Sequence, residues 1–378
     1  MRIDSLNTPC LIVDKVKLLN NITRMRNHTA SLGARLRPHV KTTKSVEIAK
    51  LLFDDGIGPI TVSTLKEAEF FFKGGFRDIL YAVSIVPSKY RRVHDLMQAG
   101  AEIKLILDDI MVAQSIIDYG IQHQVRFDIL IEIDSDGHRA GIRPEDPSVM
   151  AITRLLHESP GANFLGYITH AGESYNCTNI KAIKKHAIQE RDAVVKCAEA
   201  AQKLGITSEI VSMGSTPTAT FSEDLTGIDE LRAGVFTFQD LFQANLGVCQ
   251  IGDIALSVLT TVISHKKDQN RIIIDAGGMA LSKDRGTAGQ KNDRKFGLVC
   301  TVESGEIIDD LIVESANQEH GIITSLSGRD VDFSRYPIGS LFSILPNHAC
   351  MTAAAHDEYH IYGEEKEILH IWPRCHGW

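Results

Sequence analysis

The chain has 378 residues, 43% of them hydrophobic and 23% charged, with a formal net charge of -8 and a pI near 6.0. That balance describes a folded globular protein with room for two domains, and it gives no general affinity for nucleic acid or anionic membranes. The N-terminus has no apolar signal core, no apolar run is long enough to span a bilayer, and seven cysteines lack framework spacing, which together suit a reducing, cytoplasmic setting.

The first distinctive stretch is RLRPHVKTTK, residues 35–44. With a period of two, Arg35, Arg37, His39 and Lys41 share one face, and Leu36, Pro38 and Val40 the other. This is either an ordinary surface strand or a cationic wall for a small anion. Further β-rich runs follow at 59–64, 78–84, 102–108, 127–134, 163–170, 208–215 and 230–238, separated by segments of helical composition. The longest of these, IKKHAIQERDAVVKCAEAAQKLG, ends in Gly205 as a C-cap. Eight strands with intervening helices predict a (β/α)8 TIM-type barrel over 15–248, in preference to a doubly wound sheet. Proline is unwelcome in a central strand, so Pro38 places the start of the first strand after it. From residue 249 the alternation stops, and β-patterned segments with little helix predict a second, mostly β domain over 249–378, joined by residues 1–14.

Barrels work at the carboxyl ends of their strands. There the chain carries Lys41, the DGHRAG loop with Arg139, His170 followed by AGESY with Tyr175, the Gly214-Ser215-Thr216 loop, and Gly234-Val235. Loops after strands seven and eight commonly cradle phosphate through backbone N–H groups and hydroxyls. A lysine at a strand end, in a partly desolvated mouth, is a candidate Schiff-base nucleophile. Lys44 is its decoy, while Arg37 and His39 are read as helpers for an anionic group. In the β domain, His348 and Cys350 stand two apart in PNHAC, a spacing that on a strand directs both to one face as two ligands of one metal. Cys375 and His376 are rivals read as tail packing. Asp275 is balanced between a turn and a site role, and the clusters 283–287 and 316–321 are candidate lid or substrate-facing loops.

TPCLIVD, RPHVKTTKS, TVSTLKEAE, DGHRAG, THAGESY, GSTPT, RAGVF, DAG and PNHAC, in this order, resemble the family of D-threonine aldolases and D-serine dehydratases, fold-type III pyridoxal-phosphate enzymes with the alanine-racemase fold. STLKEAE, ANQEHG, ILPNHAC and the terminal HGW are most similar to its D-threo-3-hydroxyaspartate dehydratase branch. The resemblance implies that Lys41 carries pyridoxal phosphate, and that His39, Arg139, His170 and Tyr175 lie around it. Gly214, Ser215, Thr216, Gly234 and Val235 would form the phosphate cup. It makes His348 and Cys350 ligands of a divalent metal, zinc in the dehydratases, with manganese, magnesium and cobalt as alternatives. The implied reaction is dehydration of a 3-hydroxy D-amino acid to a 2-oxo acid and ammonia, by a homodimer. Retro-aldol cleavage, racemisation and a non-catalytic cofactor carrier are the competing readings.

Overall fold

The computed structural model describes residues 2–378. They form two compact units, Arg24–Gly234 with Gly377–Trp378, and residues 2–23 with Val235–His376. The sequence reading draws its boundaries at 14/15 and 248/249, whereas the packing divides the chain at 23/24 and 234/235.

The chain opens with β1 (Cys10–Asp14) and α1 (Lys15–Ser31). Eight parallel strands follow: β2 (Arg35–Leu36), β3 (Ile60–Val62), β4 (Asp78–Tyr81), β5 (Glu102–Leu107), β6 (Phe127–Ile133), β7 (Ala162–Thr169), β8 (Ile210–Met213) and β9 (Glu230–Leu231). Between them lie α2 (Val46–Lys50), α3 (Leu65–Lys73), α4 (Tyr90–Gln98), α5 (Ile110–His123), α6 (Pro147–His157), α7 (Ile180–Lys203) and α8 (Thr216–Phe221). The sheet runs β2-β9-β8-β7-β6-β5-β4-β3, and a parallel bridge between His39 and Thr61 joins its two ends. The eight-stranded barrel is therefore present, with each strand close to its predicted place.

Local chemistry explains the element ends. Thr64, Asp109, Asp146 and Asn179 cap α3, α5, α6 and α7 through side-chain oxygens, each accepting a backbone N–H of the first turn. Gly205 has φ +78°, the left-handed residue that ends α7. Regular β2 lies before Pro38, at Arg35–Leu36, not after it as expected; beyond the proline only His39 N returns to the sheet, donating to Ala233 O at 2.7 Å. Inside the sheet, Leu80, Ile106, Leu130, Leu165, Ile168 and Ile210 form one apolar cluster.

The second unit contains β1 and α9 (Leu241–Asn245), β10 (Leu256–Lys266), β11 (Arg271–Ile274), α10 (Gly278–Leu281), β12 (Leu298–Cys300), β13 (Ile307–Ala316), β14 (Gly321–Ser325), β15 (Leu341–Leu345), α11 (Ala349–Ala353), β16 (Glu358–Tyr362) and β17 (Ile368–Pro373). Its sheet runs β11-β14-β13-β12-β15-β10-β1-β16-β17, and a further β10–β11 pairing closes six strands into an antiparallel barrel. Only β1 and β16 pair in parallel. Among the described residues no helix is long and apolar enough to cross a membrane.

Candidate active site

At the N-terminal end of the parallel barrel, Arg37 is fully buried and its guanidinium is consumed by carboxylates. Its Nε donates to Glu230 Oε2 at 2.7 Å, and its Nη1 and Nη2 donate to the two oxygens of Asp78 at 2.7 and 3.2 Å. Lys104 Nζ adds a bond to Asp78, and Arg35 one to Glu230. The expectation that Arg37 helps hold an anionic ligand is therefore overturned, since its charge is already matched inside the barrel.

His39 and Lys41 lie at the opposite, carboxyl end. Lys41 stands in the turn after the His39 bridge and is exposed, unlike the partly desolvated amine expected from a strand position. Its charge still reaches the neighbouring imidazoles. Burial, then Lys41 and Arg232, drive His39 well below the usual histidine range. Burial, then Lys41, pull His170 down to about 3, against its hydrogen bond to Gly214. His170 Nδ1 lies 2.8 Å from the Gly214 carbonyl oxygen, which only accepts, so Nδ1 carries the proton and Nε2 is left as an acceptor. Lys44 pairs with Glu67 at 3.1 Å, an engagement that keeps its amine on a carboxylate.

Arg232 was missed by the sequence reading, although RAGVF was noted. Buried just beyond β9, it donates to Ser212 Oγ at 2.7 Å and to the Thr169 carbonyl at 2.5 Å. Desolvation lowers it to about 10 despite the pull of Glu190, Glu230 and Glu132. An arginine facing three glutamates is visible only when the strands are side by side.

Tyr175 is half-buried, with its ring centroid 6.2 Å from that of His170. Arg139 is exposed in a loop tied to the Tyr175 loop: Glu173 N donates to Asp136 Oδ2 at 2.9 Å, and the His138 ring meets the Glu173 carboxylate at 2.6 Å. Gly214, Ser215, Thr216 and Gly234 are all buried. Gly214 has φ +136°, and a Cβ there would collide with the Arg232 carbonyl. A Cβ on Gly234 would sit 2.8 Å from the His39 carbonyl.

The sequence reading has this loop presenting open N–H groups. Instead Gly214 N donates to Glu190 Oε1 at 3.0 Å and Ser215 N to Thr218 Oγ1 at 3.0 Å. What remains is the Thr216 hydroxyl, buried and without a hydrogen-bond partner among the described residues. Val235, also buried, begins a single 3-10 turn, Val235–Thr237, in the other unit.

The barrel end thus combines an exposed amine, two imidazoles held neutral, a buried arginine and an orphaned hydroxyl. Burial, with the nearby charges of Lys41 and Arg232, keeps both imidazoles neutral. That donor set fits an anionic, aldehyde-bearing cofactor.

In the second unit, His348 and Cys350 are not on a strand. β15 ends at Leu345 because the Pro346 and Asn347 carbonyls accept the first N–H groups of α9, from Leu241 at 3.0 Å and Phe242 at 3.1 Å. His348 becomes the N-cap residue of α11, and Cys350 lies in its first turn. The two side chains still meet in a hydrogen bond.

Asp284 Oδ2 takes His348 Nδ1 at 2.8 Å, and Asn347 Nδ2 ties the Asp284 carbonyl at 3.4 Å. Burial opposes charge on His348, but Asp284 and then Cys350 outweigh it and raise the ring to about 11. With Nδ1 engaged, Nε2 and the Cys350 sulfur are the donors left for a soft divalent cation. Among the described residues no group of three or more histidine, cysteine, aspartate or glutamate side chains is arranged to hold a metal. His348 and Cys350 are thus the nitrogen and sulfur pair that could hold such an ion.

The cluster 283–287 thus supplies the carboxylate that orients His348, a role its sequence did not reveal. Asp275 accepts from Thr8 Oγ1, Thr260 Oγ1 and Thr261 N at 2.5, 2.6 and 2.9 Å, a structural tie. Asn317 and Gln318, in the 316–321 cluster, accept from Gly278 N and Met279 N through their carbonyls. Cys375 is buried, and His376 pairs with Asp357 at 3.3 Å.

Residues 13–241 match the model for the alanine racemase N-terminal domain, and 255–362 that for a putative serine dehydratase domain. The chain is 44% identical over 377 residues to D-threo-3-hydroxyaspartate dehydratase of Delftia sp. (strain HT23), covering 99% of this chain and 98% of that one. It belongs to the alanine-racemase-fold family of D-threo-3-hydroxyaspartate and D-serine dehydratases, which are lyases. The D-serine dehydratase of Dictyostelium discoideum is 34% identical over 397 residues, covering 100% of this chain and 98% of that one.

A 3-hydroxy-D-aspartate aldolase of Paracoccus denitrificans is more distant, at 26% over 378 residues, 97% of this chain and 91% of that one. The Delftia enzyme's solved structure superposes with a TM-score of 0.97, covering 100% of both chains. It has also been solved as a histidine-to-alanine mutant and, as a cysteine-to-alanine mutant, in the metal-free form. The two residues replaced there stand two positions apart.

Proposed function

We propose that this protein is a pyridoxal-phosphate- and divalent-metal-dependent dehydratase. It would convert a 3-hydroxy D-amino acid, D-threo-3-hydroxyaspartate or D-serine, to a 2-oxo acid and ammonia. The observation that carries the reading is the His348–Cys350 contact with Asp284 behind it, in a chain whose parallel barrel presents Lys41 beside two neutral imidazoles. The nitrogen and sulfur donors favour zinc. The reading includes a homodimer and a cytoplasmic location, as the family resemblance implies.

Pyridoxal phosphate, when bound, supplies an electron sink that makes the substrate Cα proton acidic. The metal supplies a Lewis acid for the departing β-hydroxyl. The chain's residues do the rest. Lys41 Nζ would hold the cofactor and, once displaced by the substrate amine, would be free to take the Cα proton; a base on one side accepts only one enantiomer. His170 stays neutral and offers Nε2 as an acceptor, while its Nδ1–H is fixed on Gly214. Arg232 and Arg139 provide positive potential, and the Tyr175 ring provides an aromatic wall. The Thr216 hydroxyl, with Gly234, would receive the phosphate, and Gly214 and Ser215 shape that loop; Val235 is proposed for the cup on the resemblance alone. His348 and Cys350 hold the metal, with Asp284 keeping the imidazole in one tautomer.

The test is a panel of D- and L-β-hydroxy amino acids assayed for ammonia, 2-oxo acid and aldehyde. Ammonia and 2-oxo acid from D-isomers alone are expected. Aldehyde and glycine would establish retro-aldol cleavage instead. Cys350→Ala should lower ammonia release at least about 100-fold while leaving the cofactor's visible absorbance in place.

A further inference from the structure

One buried carboxylate takes no part in the chemistry above. Glu190, on α7, has no exposed surface, yet three donors from separate places converge on it. Its Oε1 accepts Ala171 N at 2.7 Å and Gly214 N at 3.0 Å, and its Oε2 accepts Thr218 Oγ1 at 2.7 Å. Ala171 lies two residues beyond the end of β7, Gly214 directly follows β8, and Thr218 lies in the first turn of α8.

The bonds continue outward. His170, next to Ala171, holds the Gly214 carbonyl. Thr218 Oγ1 receives Ser215 N, and Ser215 Oγ meets Ser174 Oγ at 2.8 Å. Gly214 is thus gripped at both its N–H and its carbonyl, in a conformation that only glycine adopts readily. Thr216 is the residue whose hydroxyl this arrangement leaves without a partner.

We propose that Glu190 is a positioning residue for cofactor binding: by joining the ends of β7 and β8 it sets the His170 ring and the Thr216 hydroxyl where the cofactor meets them. The proposal rests on the functional reading above. A leucine or methionine would pack α7 against the sheet at less cost, since an ionised carboxylate is expensive to bury. Burial does push Glu190 up to about 7, against the bonds from Thr218, Ala171 and Gly214. Its two oxygens meet all three donors, which an apolar side chain could not do.

The experiment titrates cofactor-free protein with pyridoxal phosphate, following absorbance and intrinsic fluorescence, beside urea unfolding of the same samples. The parent is measured first. A parent that takes up no pyridoxal phosphate refutes the functional reading, and this proposal falls with it. Glu190→Gln keeps an oxygen for both amides and is expected within about threefold of the parental Kd. Glu190→Met strands them and should weaken binding at least about tenfold.

Parental affinity in Glu190→Met, with only its urea midpoint lowered, overturns the proposal, as does equal behaviour of the two variants. If Glu190→Met does not fold, Thr218→Val removes one arm of the tie. A Kd raised about threefold or more then supports the proposal, and an unchanged Kd overturns it.

Discussion

The two ends of the parallel barrel both gather cations, and they treat them oppositely. At the N-terminal end Arg37, Arg35 and Lys104 meet Glu230 and Asp78 in close ion pairs. At the carboxyl end burial, and after it the charges of Lys41 and Arg232, hold His39 and His170 below the usual histidine range. One seven-residue stretch, 35–41, feeds both ends. Its cationic face is not a single wall: Arg35 and Arg37 neutralise buried acids, while His39 and Lys41 are left to chemistry. Carboxylate ion pairs mark the frame, and imidazoles held neutral by burial mark the ligand side.

Substitutions at the two ends should therefore separate binding from stability. The largest effect is expected for Lys41→Ala, which should abolish the cofactor's visible band and lower turnover by about ten-thousand-fold with little change in urea midpoint. A surviving band that Lys44→Ala removes would reassign the amine. Next comes Arg37→Met, which strips buried Glu230 and Asp78 of the guanidinium between them and leaves Glu230 to the more exposed Arg35. It should cost about 3–5 kcal/mol in urea unfolding while folded protein binds cofactor normally. Loss of cofactor affinity without loss of stability would erase the distinction between the two ends.

The smallest effect concerns pH. His170 is held at about 3, below its usual 6.5, so the unfolded chain binds more protons between those values. That contribution to stability is present above pH 6.5 and is lost as pH falls toward 3. His170→Gln should flatten the acid limb of the stability curve over that window, and an unchanged slope would show that the ring does not stay neutral.

Much of this arrangement was legible in one dimension. β-rich runs alternating with helical segments placed all eight barrel strands, although the first ends before Pro38 and does not begin after it. His348 and Cys350 were picked out by spacing, although the reason given was mistaken: they meet across the start of a short helix, because α9 takes the carbonyls that would have prolonged β15. Arg232, Glu190 and Asp284 were not found. Each acts through partners 20 or more positions away, Ser212 and Thr169 for Arg232, Gly214 and Thr218 for Glu190, and His348 for Asp284. No local pattern distinguishes them from ordinary polar residues.

The sequence by itself determined the alternation of strand and helix, the change to an antiparallel unit, and which residue types stand at the strand ends, because periodicity and capping act over a few residues. Only the tertiary structure decided which charges cancel and which remain. Whether a guanidinium finds a carboxylate, or a Gly214 amide finds Glu190, depends on chain segments that folding alone brings within hydrogen-bonding distance.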